Sequence, residues 1–81
     1  MTVRVLLFGP QAALAGASAV DVTVADAPTP TGLLAALSTQ HPSLADSLGA
    51  SRLAVNHEFA DPASAIQPGD EVALIGMVSG G

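Results

Sequence analysis

The C-terminal sequence EVALIGMVSGG, residues 71–81, joins an apolar run to two terminal glycines. Its first part, Glu71 to Ile75, is rich in the aliphatic and β-branched residues that favour a strand. The two glycines add no side chain to a core and lose much backbone entropy when they are ordered. We therefore expect a flexible C-terminal tail at residues 77–81, attached to one domain at residues 1–76.

The tail offers a single chemical group, the α-carboxylate of Gly81. Without side chains at Gly80 and Gly81, the tail can enter a channel too narrow for other residues and bring that carboxylate to an activating group in another protein. The simple alternative is a frayed terminus, which is common in proteins. Other features of the sequence are needed to choose between these two interpretations.

The composition excludes several kinds of function. The chain has no Cys, so disulfides, thiolate metal sites and a cysteine nucleophile are ruled out. It has no Lys either. Its two basic residues, Arg4 and Arg52, are outnumbered by seven acidic residues, which gives a net charge of -5. Phosphate binding needs cationic contacts, so we exclude nucleic acid as a partner. An acidic chain favours docking onto a neutral or basic protein surface.

No part of the sequence indicates a membrane protein. No apolar run approaches the ~18 residues that a membrane span needs. Near the N-terminus, Gly9-Pro10 interrupts the apolar run too early for a signal peptide. We therefore expect a cytoplasmic protein without a membrane partner.

Hydrophobic periodicity predicts two strands in the first part of the chain. Thr2 to Phe8 and Ala19 to Ala25 both alternate with the period of two that is typical of strands. Between them, Gln11 to Ala15 is expected to form a short helical turn that Gly16 closes.

Two helices are predicted in the middle of the chain. Thr29-Pro30 offers an N-cap followed by proline at the first helical position. This main helix should end at His41-Pro42, because the residue before a proline avoids the helical region. Ser43 to Asp46 is similar to a capping arrangement for a second short helix, which Gly49 would stop.

Three further strands are predicted in the second half of the chain. Arg52 to Asn56 and Glu58 to Ala60 flank a tight hairpin turn at Asn56-His57. Pro68-Gly69 fits a type II turn that leads into the last strand, Glu71 to Ile75.

This order of elements predicts an α+β two-layer domain. Strands at both ends with the main helix between them imply a mixed sheet that the helix packs against on one face. The right-handed crossover rule places the first and last strands side by side and parallel. At about 3.3 Å per extended residue, the tail then reaches on the order of 15 Å beyond the domain.

Few side chains offer chemistry of their own. His41 and His57 titrate near neutral pH, but neither has partners at metal-ligand or triad spacing, so we expect no metal site. Asp46-Ser47-Leu48 matches the triplet around the phosphopantetheine-bearing serine of acyl carrier proteins. Those proteins are helical bundles, whereas a glycine and a strand follow here. We interpret Ser47 as an ordinary helix-surface residue.

The two aromatic residues are more informative. Phe8 is expected on the face of the first strand opposite Val3, Val5 and Leu7, and Phe59 in a short strand at the edge of the sheet. For each residue taken alone, a core position is the simple interpretation. Together with Ile75, whose strand adjoins the first in this topology, they would form an exposed apolar patch on the sheet face away from the helix. Such patches mark docking surfaces.

Several segments, taken in order, resemble one known family. They are Val5-Leu6-Leu7-Phe8-Gly9, Leu53-Ala54-Val55-Asn56-His57-Glu58, and Gln67-Pro68-Gly69-Asp70-Glu71-Val72-Ala73-Leu74 leading into Val78-Ser79-Gly80-Gly81. The family is that of the small subunits of molybdopterin synthase, which are ubiquitin-like β-grasp sulfur carriers. The resemblance spans essentially the whole chain and implies the β-grasp fold.

The resemblance implies a chemistry for the tail. An ATP-dependent adenylating enzyme would convert the Gly81 carboxylate to an acyl-adenylate, and sulfur transfer would then give a C-terminal thiocarboxylate. The chain would bind no cofactor, and the thiocarboxylate would be the group that it carries. Val78, Ser79 and Gly80 would thread into the active site of the large subunit of molybdopterin synthase, within a heterotetramer. The catalytic pocket would lie on that large subunit, and this chain would donate the sulfur.

The resemblance also assigns partner contacts. The family's apolar contacts map onto Phe8, Phe59 and Ile75, with Met77 as a further contact at the root of the tail. The family often has Pro-Pro where Gly76-Met77 stands, a departure that loosens the exit of the tail.

Two alternatives stay open. In the first alternative, the chain carries sulfur for another product: the thiazole of thiamine, cysteine or tRNA. Thiamine carriers are typically shorter, however, and lack the region from Thr31 to Leu48. Otherwise the chain would be a ubiquitin-like protein-binding module without sulfur chemistry.

Overall fold

The structure, a computed structural model, describes residues 1–76. Five of the predicted site residues lie outside the described residues, namely Met77, Val78, Ser79, Gly80 and Gly81. The elements in chain order are β1 (Thr2–Leu6), α1 (Gly9–Ala15), β2 (Ala19–Thr23), α2 (Pro30–Gln40), a 3₁₀ segment (Pro42–Ala50), β3 (Ser51–Val55), β4 (Glu58–Phe59) and β5 (Val72–Gly76).

The strands form one mixed five-stranded sheet in the order β2-β1-β5-β3-β4. β1 runs antiparallel to β2 and parallel to β5, while β3 runs antiparallel to both β5 and β4. The predicted adjacency of the first and last strands is therefore confirmed. It places the end of β5 beside the α1 end of β1, which is the end from which the predicted tail leaves the sheet.

One face of the sheet is covered by α2 and the 3₁₀ segment, and the core lies between these two layers. Alternate residues of the strands point into it, as the period of two requires. The helical side contributes Leu33, Leu37 and Leu44, each with 0% exposure. The sheet and its loops contribute the rest of the buried apolar set, Val3, Val5, Leu7, Val22, Leu53, Ile66, Val72 and Leu74.

Three local signals act as the sequence predicts. The Thr29 side chain caps α2 by accepting a hydrogen bond from the Gly32 N–H at 3.1 Å. Gly16 ends α1 in the left-handed conformation, with φ of 69°. Asn56 and His57 both have positive φ, at 53° and 70°, which suits the two central residues of a type I′ hairpin turn.

Several predicted boundaries need correction. β1 ends at Leu6 rather than Phe8, because the backbone of Phe8 is the N-cap of α1 and that helix already begins at Gly9. β4 likewise stops at Phe59, one residue before the predicted end.

The prediction of a capped second helix was wrong in its details. The 3₁₀ segment begins at Pro42, has no side-chain cap, and continues past Gly49 to Ala50. Ser47 bonds within the segment, where its hydroxyl donates to the Leu44 carbonyl at 2.8 Å. Within the described part of the chain, no helix is long and apolar enough to cross a membrane.

Candidate functional site

The sheet face opposite α2 carries a row of apolar side chains across four strands. The pairing of β1, β5, β3 and β4 aligns Leu6 with Ala73, Ala73 with Ala54, and Ala54 with Phe59. Side chains at directly paired positions lie on the same face of a sheet. Because the two central members are alanines and the outer two are large, this row is low in the middle and raised at both ends.

The row forms the floor of a shallow groove of about 450 Å³, which we call the open-face groove. Phe8 and Phe59 stand beside it with 55% and 52% of their surface exposed, which is unusual for the only two aromatic residues of the chain. The lining residues are Leu6, Phe8, Ala54, His57, Phe59, Glu71, Ala73 and Ile75. An exposed concave apolar surface of this kind is a candidate docking site.

The Phe59 ring is held in place by a cation. The Arg52 guanidinium carbon lies 4.4 Å from the centroid of the Phe59 ring, within the range of a cation–π contact. Arg52 precedes Ala54 by two residues on β3, so both side chains rise from the same face of the sheet. One of the two arginines therefore supports the aromatic wall of the groove.

The end of the groove near the start of β5 is polar. His57 Nε2 lies 2.9 Å from Glu71 Oε2, and both side chains line the groove. Behind them, Asn56 Nδ2 donates to Asp70 Oδ1 at 3.0 Å, and Asn56 Oδ1 accepts from the Glu71 N–H at 3.0 Å. These bonds join the β3–β4 turn to the turn before β5.

Asp70 is ionised more readily than an ordinary aspartate. The backbone N–H of Gln67 donates to its Oδ2 at 2.8 Å, and the side chain of Asn56 donates to its Oδ1. Donors to the charged carboxylate favour that form, so they lower the pKa of Asp70. The carboxylate thus acts as a fixed acceptor between the two turns.

The opposite end of the groove is apolar and lies at the end of β5. A second hollow of about 410 Å³ begins there and shares Phe8 and Ile75 with the open-face groove. Its other lining includes Gln11 and Gly76, the last described residue of the chain. A protein that docked in the groove would therefore lie next to the end of β5.

The structure brings together Phe8, Phe59 and Ile75, which the sequence selects as a patch. Their role in binding a partner stays a prediction, and so do the roles assigned to the residues after Gly76. His41 contacts the backbone, with its Nε2 2.9 Å from the Asp21 carbonyl oxygen. Within residues 1–76, no three His, Cys, Asp or Glu side chains lie together as a metal site would require.

Three further residues, Ala54, Ala73 and Arg52, belong to the site but were not predicted from the sequence. Each lies two positions or one cross-strand step from a selected residue, so the strand period identifies their face. What the period does not give is the register between strands, which brings Ala54 opposite both Ala73 and Phe59. The register also depends on the geometry of the turns that join the strands.

The sheet order and the single helical layer define a ubiquitin-like β-grasp protein. The chain belongs to the ThiS family, whose model matches residues 5–81. A curated relative, the molybdopterin synthase sulfur carrier subunit of Homo sapiens, is 34% identical over 82 residues, which cover 98% of this chain and 93% of that protein.

Two solved structures illustrate the likeness in three dimensions. SAMP1 from Haloferax volcanii superposes with a TM-score of 0.83 at 31% identity, with all of both chains covered. A chain in the protein–protein complex of subunits 1 and 2 of the molybdopterin-converting factor from Helicobacter pylori gives a TM-score of 0.67 at 26% identity, again with full coverage of both.

Proposed function

We propose that this chain is a sulfur carrier that bears sulfur as a thiocarboxylate on Gly81 and donates it in the synthesis of molybdopterin. The observation that carries the proposal is the 34% identity, over 98% of the chain, with a molybdopterin synthase sulfur carrier subunit. The family match extends to residue 81 and so includes the two terminal glycines.

The proposed chemistry has two steps on the α-carboxyl group of Gly81. A carboxylate oxygen attacks the α-phosphorus of ATP and displaces pyrophosphate, which gives the acyl-adenylate. A sulfide-level sulfur donor then attacks the acyl carbon, and AMP departs with the original oxygen. The product, a thiocarboxylate, presents a nucleophilic sulfur that an unactivated carboxylate lacks.

The open-face groove is the proposed docking surface for the proteins that perform and use this chemistry. It is apolar, its aromatic wall is supported by Arg52, and it lies at the end of β5 from which the last five residues continue. One partner is an ATP-dependent adenylating enzyme, and the other is the large subunit of a molybdopterin synthase. Support for the second comes from the Helicobacter pylori relative, which was solved in a complex of subunits 1 and 2.

The acyl-transfer groups are assigned to the partners in this proposal. His57, the exposed histidine of the groove, bonds to Glu71 at the end remote from Gly76. We assign the pterin pocket and the proton-transfer groups to the large subunit, in a heterotetramer. The chain itself then acts as a sulfur-bearing co-substrate.

The proposal is tested by intact mass. The protein is incubated with an adenylating enzyme of sulfur-carrier pathways, ATP and sodium sulfide, and we expect a mass gain equal to the replacement of one oxygen by one sulfur. Controls without ATP, and a variant lacking Gly81, should show no gain. If the full-length protein gains no mass, or the variant lacking Gly81 gains as much, sulfur carriage on Gly81 is wrong.

A second measurement identifies the recipient of the sulfur. The thiocarboxylated protein is mixed with the large subunit of a molybdopterin synthase and pterin precursor, and in parallel with a thiazole synthase and its substrates. We expect sulfur to leave the carrier only in the first mixture. Loss of sulfur only in the second mixture would reassign the chain to thiamine synthesis.

Protein modification is a second candidate, favoured by the 31% identity and TM-score of 0.83 with SAMP1, a small archaeal modifier protein. The same acyl-adenylate would then be attacked by an amine of another protein, with AMP as the leaving group. Because this chain has no Lys, it offers no lysine side chain to which a second copy could be joined. The intact-mass test separates the candidates, since modification yields a covalent adduct of two proteins.

A further inference from the structure

Gly76, at the end of β5, is contacted closely by one side chain. A Cβ atom built on Gly76 would lie 2.8 Å from Gln11 Nε2 and 3.0 Å from Gln11 Oε1. Both distances are shorter than side-chain contacts ordinarily allow. Gly76 does not have the positive φ that Gly9, Gly16 and Gly69 have, so space and not backbone conformation favours glycine here.

Gln11 is held in this position by a buried polar contact. Its side chain is 7% exposed, and Nε2 donates to the Ser51 hydroxyl at 3.1 Å. Ser51 is the cross-strand partner of Gly76, and its own hydroxyl donates to the Ser47 carbonyl at 2.8 Å. The amide of Gln11 is thus fixed by β3 and the 3₁₀ segment while it packs on the backbone of β5.

We propose that Gln11 is a positioning residue that clamps the backbone at Gly76 and so sets the direction in which the last five residues leave the sheet. The inference rests on the proposed function, because direction matters only if Gly81 has to reach a reacting group. The restraint on the backbone at Gly76 comes from the packing of a side chain of α1 against it.

The clamp acts on orientation rather than on docking. The open-face groove binds the partner, and Gln11 lies beyond its apolar end, in the hollow that contains Gly76. Reactions between held groups are sensitive to misplacement, and an error of about 1 Å can cost ~100-fold in rate. A chain without the clamp should therefore dock normally and react slowly.

The clamp itself is measured by NMR on the free protein. We expect the order parameter of the Gly76 amide to be about 0.85 in the native protein and to fall toward about 0.6 in Gln11→Ala. Ser51→Ala, which removes the acceptor of the Gln11 amide, should have a similar effect. Gln11→Met fills the same space without the hydrogen bond and covers the case in which Gln11→Ala does not fold.

Contact between the two residues is measured by a double-mutant cycle in urea. Gly76→Ala should be destabilising in the native background, since its Cβ displaces the Gln11 amide, and nearly neutral when Gln11 is already alanine. The two sites should interact by a factor of about 2 or more in the unfolding equilibrium constant. Additive effects would mean that the contact has no energetic consequence and would overturn the clamp.

The consequence for reactivity is measured as adenylation, by exchange of pyrophosphate into ATP. We expect Gln11→Ala to lower kcat at least about fivefold while KM changes less than about twofold. The matched control is Gln40→Ala, which removes another structural glutamine, one that bonds the Thr23 backbone at the far edge of the sheet. Gln40→Ala should leave kcat and KM unchanged.

The outcomes separate this inference from the proposed function. Suppose that the native protein is adenylated. The positioning role is then wrong if Gln11→Ala reacts equally well, if only its KM changes, or if its kcat falls no more than that of Gln40→Ala. If the native protein is not adenylated at all, the proposed function fails, and the order parameter of Gly76 alone decides whether Gln11 clamps the strand. An unchanged order parameter overturns the inference in either case.

Discussion

The two faces of the sheet are built by the same strands, yet they differ in what covers them. On β5, Val72 and Leu74 point toward α2 and are fully buried, whereas Ala73 and Ile75 point the other way and are partly exposed. On the covered face, large aliphatic side chains fill the space beneath the helix. On the open face, alanines lie between Phe8 and Phe59, and no element within the described residues covers them.

Within β5, the residues that stabilise the fold by burial are therefore different from the residues that are accessible at the surface. Burial of apolar surface is the main favourable contribution to folding, and it is concentrated on the covered face. The aromatic residues of the open face are about half exposed, so they contribute less to folding and remain available to a partner. We therefore expect substitutions on the two faces to have different consequences.

The largest expected effect on stability is that of Leu74→Ala on the covered face. Leu74 is fully buried, so the substitution removes its contacts and leaves a cavity, with a loss of about 2–5 kcal/mol in the free energy of unfolding. Ile75→Ala, the neighbouring position on the open face, is the matched control and should cost less than about half as much. Urea denaturation measures both. Equal losses would mean that the open face belongs to the core and would break the comparison.

The next effect concerns the proposed docking surface. If the proposed function holds, Phe59→Asp should lower the affinity for an adenylating enzyme of sulfur-carrier pathways at least about tenfold, because it would place a charge in the apolar wall of the open-face groove. The folded circular-dichroism spectrum should persist, since the Phe59 ring is 52% exposed. Isothermal titration calorimetry measures the affinity.

Leu14→Asp is the matched control for this experiment. Leu14 is a large apolar residue of α1, is 51% exposed, and does not line the open-face groove. Its substitution introduces the same charge and should leave the affinity within about twofold of the native value. Equal losses for both variants would indicate a general effect of charge rather than docking through the groove, and unfolding of Phe59→Asp would place Phe59 in the core.

The covered face was largely predictable from the sequence. The alternation in β1 and β2 indicates which residues point inward, and the Thr29 cap indicates where α2 begins; the structure agrees with both. The adjacency of β1 and β5 follows from crossover handedness. These predictions succeed because each rests on a periodic pattern or on a local backbone preference.

The open face was only partly predictable, because its shape depends on register and on distant partners. Phe8, Phe59 and Ile75 are recognisable as apolar residues on outward positions, whereas the low floor at Ala54 and Ala73 requires the strand pairing. Gln11, which lies beyond the apolar end of the open-face groove, depends on a distant partner in the same way. A polar residue in a short helix is expected at the surface, and here it is buried because Ser51, 40 positions away, accepts its hydrogen bond.

The smallest expected effect concerns the polar end of the open face, where hydrogen bonds rather than apolar burial hold the structure. The pKa of Asp70 is lowered in the folded protein by the Gln67 N–H and the Asn56 side chain. Its contribution to stability is therefore fully present above the ordinary aspartate pKa of about 3.9 and is lost as the pH falls through the lower folded pKa. Asp70→Asn should destabilise the protein slightly at neutral pH, and this difference should disappear in acid.

Urea denaturation of both proteins at a series of pH values measures this difference, and Asp46→Asn is the charge-matched control. Asp46 is an exposed residue of the 3₁₀ segment, so its substitution changes the net charge equally without touching the turns that Asp70 joins. If the destabilisation by Asp70→Asn persists below the folded pKa, or if Asp46→Asn reproduces it, the hydrogen bonds to Asp70 do not stabilise the polar end. Disappearance of the difference for Asp70 alone would show that the hydrogen bonds to its carboxylate stabilise the polar end of the open face.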